Sequence, residues 1–477
     1  MATTYKIPDV YIEEIPKFPP SIAPVETAIP AFIGYTEKAQ DQTPNDLKLK
    51  PTRISSLVEY EKHFGGPQEE EAIQVTISVT APGEPEEVKA TASVTEASRS
   101  KHIMYYALQM FFANGGGPCY IVSVDLFKST FGAALVESEL EAGLNALGKF
   151  DEPTLIIFPE AQSLSIADFN TLHSAALKQC SDLMDRFVIM DMHGGSISLS
   201  DPDADVHTAL QNFRTSGIGT TNLKYGAAYG PNIETVLDFV YDESKVDVVI
   251  NTGGTAAPAV KLDTLSTSNN RWYELAKATI RDMSCKLPPS SAMAGIYAAV
   301  DNSRGVWKAP ANVSIAAVIQ PAIQIATSDL ADMNVDPTAG KSVNAIRALQ
   351  GKGTLVRGGR TLAGNDNEWR YVNVRRFFIF VEESCKKATD QFVFESNDIN
   401  TWVLVQAMSE NFLTVLWRQG ALQGVKPEHA FYVAVGLGKT MTALDILEGR
   451  MIVEIGLAAV RPAEFIILRF SHKMAES

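Results

Sequence analysis

Residues Gly436–Phe470 read GLGKTMTALDILEGRMIVEIGLAAVRPAEFIILRF. The last six, Phe465-Ile466-Ile467-Leu468-Arg469-Phe470, carry apolar side chains at both alternating positions. A strand with one wet face alternates apolar and polar; one covered on both faces does not. This run therefore calls for a sheet around it, although it stands close to the chain terminus, where most domains fray. Pro462 sets it off from the strand-like run Met451–Val460, because proline cannot donate to a ladder. The run is either the last strand of its own domain or a strand given to a neighbouring copy. The residues alone favour the first.

Working outward, the C-terminal third reads as an α+β unit. Trp369–Val374 has strand character and Arg375–Ala388 helical spacing. Asp398–Gln419 is the strongest helix, with the stripe Trp402, Val405, Phe412 and Leu416 and a stop at Gly420. A strand at Ala430–Val435 and a short helix at Thr442–Glu448 complete it. Upstream, Glu139–Val249 alternates helix and strand: Leu140–Leu147, Thr154–Phe158, Ala167–Met184, Arg186–Met192 and Tyr225–Tyr229. That alternation argues a parallel α/β sheet. Ala28–Tyr35 and Cys119–Val124 supply further strands, and Ile54–Phe64 and His102–Ala113 further helices. Gln68–Ser100 changes to a Glu-, Thr- and Val-rich alternation, a β-rich insertion. Trp272–Met283 reads as a helix and Leu287–Asn312 as a long irregular stretch. The first twenty residues hold Pro8, Pro16, Pro19 and Pro20 around Val10-Tyr11-Ile12 and Ile15, and so form an extended arm.

The net charge of −15 argues against a nucleic-acid coat, which needs a basic face. Cys119, Cys180, Cys285 and Cys385 include no CxxC pair, and the seven histidines show no HxH or HExxH spacing, so neither a disulfide framework nor a metal is expected. No signal peptide and no run of membrane-spanning length is present, which leads us to expect folding in the cytoplasm.

Three motifs tempt a catalytic reading. Gly436-Leu437-Gly438-Lys439-Thr440 lies between strand and helix, as a phosphate loop would. Val433 stands where that loop needs its first glycine, so an NTP-binding enzyme is only the alternative reading. His193-Gly194-Gly195-Ser196 lacks the elbow of a serine hydrolase, and Asp201–Asp205 lacks the glycine and glutamate of a calcium loop. Arg304–Lys308 sets Trp307 between basic residues, suited equally to an interface or to a packed loop. No enzymatic constellation and no cofactor site emerges.

Long blocks of the chain resemble contractile tail sheath proteins, most closely those of phage-tail-like extracellular contractile injection systems. They are VYIEEIPKFPP (Val10–Pro20), ETAIPAFIGYT (Glu26–Thr36), LPPSSAMAGIYAAVDNSRGVWKAPANV (Leu287–Val313), KSVNAIR (Lys341–Arg347), RTLAGNDNEWRYVNVRRF (Arg360–Phe377) and most of Gln391–Met474. Lys439 departs from the pattern, where a glutamine is expected.

The resemblance implies an α/β core domain, subtilisin-like but non-catalytic and facing outward, over 21–67 and 101–355. The β-rich insertion covers 68–100, an α+β domain facing an inner tube covers 356–461, and extended arms cover 1–20 and 462–477. It also implies hexameric rings stacked helically around an inner tube protein, with baseplate and tail-terminator proteins as further partners. Neither nucleic acid nor direct membrane insertion is implied. Contraction of the stack would drive the tube through a target membrane. The particle would be assembled in the bacterial cytoplasm and released. On this resemblance Val10, Tyr11, Ile12 and Ile15, with Phe465, Ile466, Ile467, Leu468 and Phe470, become inter-subunit strands, which reverses the preference for a home strand.

Overall fold

The computed structural model describes residues 21–94, 99–195, 206–465 and 467. The chain divides into a larger unit, Val25–Glu382 with the described residues after Val460, and a smaller one, Glu383–Val460 with residues 21–24.

An eight-stranded sheet organises the larger unit. Its strands are β1 (Pro30–Thr36), β2 (Thr52–Ile54), β3 (Cys119–Leu126), β4 (Leu155–Ile157), β5 (Phe187–Asp191), β6 (Gly226–Gly230), β7 (Val343–Leu349) and β8 (Gly353–Val356), in the order β8-β7-β6-β5-β4-β1-β3-β2. The pairs from β7 across to β3 are parallel, and β8 and β2 close the edges antiparallel. Burial follows: β1, β4, β5 and β6 are buried at every residue, as strands covered on both faces must be.

Helices α1 (Met104–Ala113), α2 (Glu137–Leu147), α3 (Ile166–Leu183) and α4 (Ser290–Arg304) supply the covers. Helices α2 and α3 pack on each other and on the sheet, as do α1 and α4. Alternation along β1 puts the pairs on opposite faces: a side chain at Gly143 of α2 would strike Ile33, and one at Gly34 would strike Met104 of α1.

Helix α4 corrects the irregular stretch expected over Leu287–Asn312. Ser290 to Ala298 are all buried, so the helix shows no polar face and no periodicity to read. Gly295 permits the contact with α1, since a Cβ there would lie 2.5 Å from the Phe111 carbonyl. The strand expected over Trp369–Val374 is likewise absent. Helix α5 begins at Val372 and runs to Thr389. Tertiary contacts override the β-branched pattern there: Arg375 stacks on Tyr225 and Trp369, and Arg376 lies over Tyr297.

The β-rich segment forms the antiparallel pair Ile73–Val79 and Val88–Val94, and Asp247–Thr252 adds in parallel beside the first. Ile73, Val75 and Ile77 bury against Val248, Leu262 and Ile280, a core separate from the main one. The segment therefore shares its sheet and core with residues far along the chain. The boundary between units falls at Glu382–Glu383, later than position 355, and Val356 and Leu362 lie in the core of the larger unit.

The smaller unit is built on α6 (Ile399–Arg418) and the antiparallel pair β9 (Phe431–Val435) and β10 (Val453–Leu457), with the one-turn helix α7 (Ala443–Leu447) between the strands. Asp398 caps α6 by accepting from the Asn400 and Thr401 N–H groups. Val405, Phe412 and Leu416 are buried as the stripe requires, while Trp402 is half-buried.

Candidate assembly surfaces

The strand pair β9–β10 stands alone: among the described residues no third strand joins it. Two strands make a marginal sheet in water. Phe431, Val433 and Val435 pair with Leu457, Ile455 and Val453, so all six share one apolar face. Val433 and Val435 are buried, and β9 packs on α6. The β10 side chains on that face, Val453, Ile455 and Leu457, remain half-buried. On the other face Tyr432 donates to Glu454 at 2.6 Å, and its ring crosses Gly456, where a Cβ would come within 2.1 Å of it.

The ladder register identifies the free edges. The Ala458 N–H bonds the Ala430 carbonyl at 2.9 Å. Bonded pairs alternate in an antiparallel ladder, so Tyr432–Gly456 and Ala434–Glu454 are the bonded pairs. The N–H and C=O groups of Val453, Ile455 and Leu457 then point away from β9, and those of Phe431, Val433 and Val435 away from β10. Both rows are open to a further strand.

Beyond β10 the chain rejoins the larger unit at Arg461. Phe465 and Ile467 are 70% and 78% exposed and belong to no strand of their own chain. Ile466, Leu468 and Phe470, and Val10, Tyr11, Ile12 and Ile15 of the N-terminal arm, lie outside the described residues.

Glu464, which sequence reasoning passed over, is held firmly. Arg360 grips its carboxylate with Nε at 2.9 Å and Nη2 at 2.8 Å, Asn334 donates at 2.7 Å and Tyr371 at 3.0 Å. Burial alone would raise the Glu464 carboxyl pKa, but the bonds from Arg360, Asn334 and Tyr371 outweigh it and bring it below its ordinary value. A comparable buried network holds the chain just before β1. Arg376 grips Asp301 at 2.6 and 3.1 Å and donates to the Thr27 carbonyl, while the Thr27 hydroxyl donates to Asp301.

The motifs that tempted a catalytic reading have other work. In Gly436–Thr440 the N–H groups of Lys439, Thr440 and Met441 turn back onto the Gly436 carbonyl, and that of Gly438 onto Met441. The Gly436 N–H meets the Thr440 hydroxyl. These amides close a turn and do not converge on a phosphate, and α7 is only five residues long. Asp445 instead caps α7 with Thr442, whose hydroxyl and N–H hold its carboxyl below the ordinary range. His193 engages the Leu164 carbonyl at 3.1 Å; Ser196 and Asp201–Asp205 lie outside the described residues. Asp191, at the C-terminal end of β5 where α/β folds place ligands, is capped by the Ser290 N–H and hydroxyl at 2.7 and 2.6 Å. Burial lifts its carboxyl to about 7 against those two bonds. Trp307 packs edge-on against Phe377. All four cysteines are buried and free, and burial raises the Cys285 thiol to about 12. Among the described residues no group of His, Cys, Asp and Glu could hold a metal, and no helix is long and apolar enough to cross a membrane.

The family model for the phage tail sheath C-terminal domain matches residues 364–473. Three solved structures match over nearly the whole length. A chain of the six-fold symmetrised cryo-EM structure of the anti-feeding prophage baseplate is 29% identical, with TM-score 0.63, over 99% of this chain and 100% of that one. The sheath complex of the extracellular contractile injection system PVC, in its contracted state, is 28% identical, with TM-score 0.63, over 99% of both chains. The anti-feeding prophage helical sheath in its contracted state is 29% identical, with TM-score 0.62, over 98% of this chain and 100% of that one. No curated protein matches.

Proposed function

The chain is a contractile tail sheath protein, and from that premise we propose how it assembles and works. It is a structural subunit of a contractile sheath. Copies polymerise as hexameric rings stacked helically around an inner tube, and contraction drives that tube through a target membrane. Baseplate and tail-terminator proteins cap the stack. The particle is assembled in the bacterial cytoplasm and released. The larger unit is the outward, subtilisin-like but non-catalytic domain of the family, and the smaller unit faces the tube.

The residues around Val10–Ile15 and Phe465–Phe470 act as strands donated to other copies. The observation that carries this is the open, half-buried edge of β10, set against an apolar run that its own chain leaves bare at Phe465 and Ile467. Each ladder bond contributes a net ~1 kcal/mol. Each large apolar side chain newly covered adds roughly 1.5–3 kcal/mol. A six-residue donated strand therefore gains on the order of 10 kcal/mol before the ordering cost of the arm, which is of similar size. Coverage of the β10 face tips that balance, and a contact that passes from copy to copy without closing builds a helical array.

Negative-stain microscopy of the purified protein tests the reading. Striated hollow cylinders are expected; a protein that stays monomeric at every concentration contradicts it.

A further inference from the structure

Glu464 directly precedes the apolar run, and the chain changes character across it. On its far side Phe465 and Ile467 are exposed. At Glu464 itself a buried arginine, an amide and a phenol converge on one carboxylate. The side chain of Arg360 is only 6% exposed, and its backbone is fixed in turn: its N–H donates to Asn344 Oδ1 and its carbonyl accepts from Asn344 Nδ2, both at 2.8 Å. Asn344 is buried in β7, so the grip is tied to the central sheet of the larger unit. A two-pronged guanidinium–carboxylate pair fixes orientation as well as distance, which a lone lysine would not.

We propose that Glu464 is a positioning residue: its clasp to Arg360, Asn334 and Tyr371 sets the point from which the C-terminal arm leaves the larger unit to reach another copy. This rests on the strand-donation reading above. An extended chain advances about 3.3 Å per residue, so the six residues after the clasp reach roughly 20 Å. Freeing the tail back to Val460 adds about 13 Å of slack by the same measure. A slack tether holds its end at a lower effective concentration near the acceptor edge.

The test measures the protein concentration at which cylinders form, for full-length wild type, Glu464→Ala, Glu464→Gln and a control, Arg186→Gln. Arg186 pairs with Asp185 and the Phe150 carbonyl and touches neither the tail nor its clasp, so its loss lowers stability alone. Glu464→Ala is expected to raise the threshold about tenfold, on the scale of tether effects. Glu464→Gln, which keeps the side-chain length, falls between, and it carries the test if the alanine variant fails to fold. Arg186→Gln lowers the unfolding midpoint and leaves the threshold of the folded protein at the wild-type value. A wild-type threshold in both Glu464 variants overturns the clasp and leaves strand donation standing. An equal rise in Arg186→Gln also overturns it, by reducing the effect to stability. Absence of cylinders in the wild type removes the reading on which the clasp rests.

Discussion

The two units differ in how much of their apolar surface their own chain covers. In the larger unit, charged groups without water have partners from the same chain: Arg376 with Asp301, Arg186 with Asp185, Arg360 with Glu464. Helices cover both faces of its sheet. The smaller unit leaves Phe394, Val403, Val425, Tyr432, Leu444 and Leu447 exposed and its two-stranded sheet open. Phe394 is held out on a left-handed turn at φ 70°, a conformation that disfavours a bulky residue unless something holds it. Exposed apolar groups beside free strand edges mark a surface that another molecule covers. On the proposed strand-donation reading, the larger unit is complete as a folded body, whereas the smaller one is completed by assembly.

That contrast can be broken in four places. The largest effect is expected from a stop codon at Ile466, which keeps the Glu464 clasp and removes the rest of the run. Cylinders should disappear from micrographs while the larger unit unfolds at its wild-type temperature; cylinders of normal appearance would place the assembly information elsewhere. Next, Arg376→Ala leaves Asp301 buried without its cation and should cost the larger unit about 3–5 kcal/mol, read by denaturant unfolding. A loss below about 1 kcal/mol would show that this unit does not depend on internal pairing as described.

Third, Ile455→Pro removes an N–H that points to the open edge of β10 and should weaken assembly by one to two orders of magnitude, about 1.5–3 kcal/mol, without unfolding the smaller unit. Gly456→Pro removes a home ladder bond instead, and circular dichroism should report loss of the smaller unit itself. Equal effects from the two would mean that β10 accepts no strand. The smallest effect concerns Asp191. Its carboxyl is raised to about 7 in the fold, so between its ordinary value of 3.8 and 7 the folded state binds more proton than the unfolded one. Stability contributed by this group is therefore present at low pH and lost as pH rises through 7. Wild type should lose about 1 kcal/mol from it between roughly pH 6 and pH 8, and Asp191→Asn should not. Parallel stability curves for the two proteins would show that the site is not the source.

Much of the larger unit was legible because its physics is local. Strands buried on both faces, such as Leu155–Ile157, are apolar throughout, and helices with one wet face, such as Ile166–Leu183, repeat at 3.6 residues. Elements set by distant contacts were not. Helix α4 is buried all round from Ser290 to Ala298, so its composition of small residues carries no period there. Val372–Val374 looks like a strand until Arg375 and Arg376 find aromatic rings and Asp301. Ile73–Val79 gives no hint that Asp247–Thr252 lies beside it. Of the assembly surface, the apolar run and the turn at Gly436–Thr440 could be weighed from spacing. The Glu464 clasp could not, because its partners stand about a hundred residues upstream and a glutamate two residues after a proline reads as solvated.

A cryo-EM reconstruction of the assembled cylinders tests the central claim most directly. The account predicts residues 465–470 of one subunit hydrogen-bonded along the open edge of the β9–β10 sheet of another. Cylinders in which every tail folds back onto its own subunit, with both edges of that sheet bare, would contradict it.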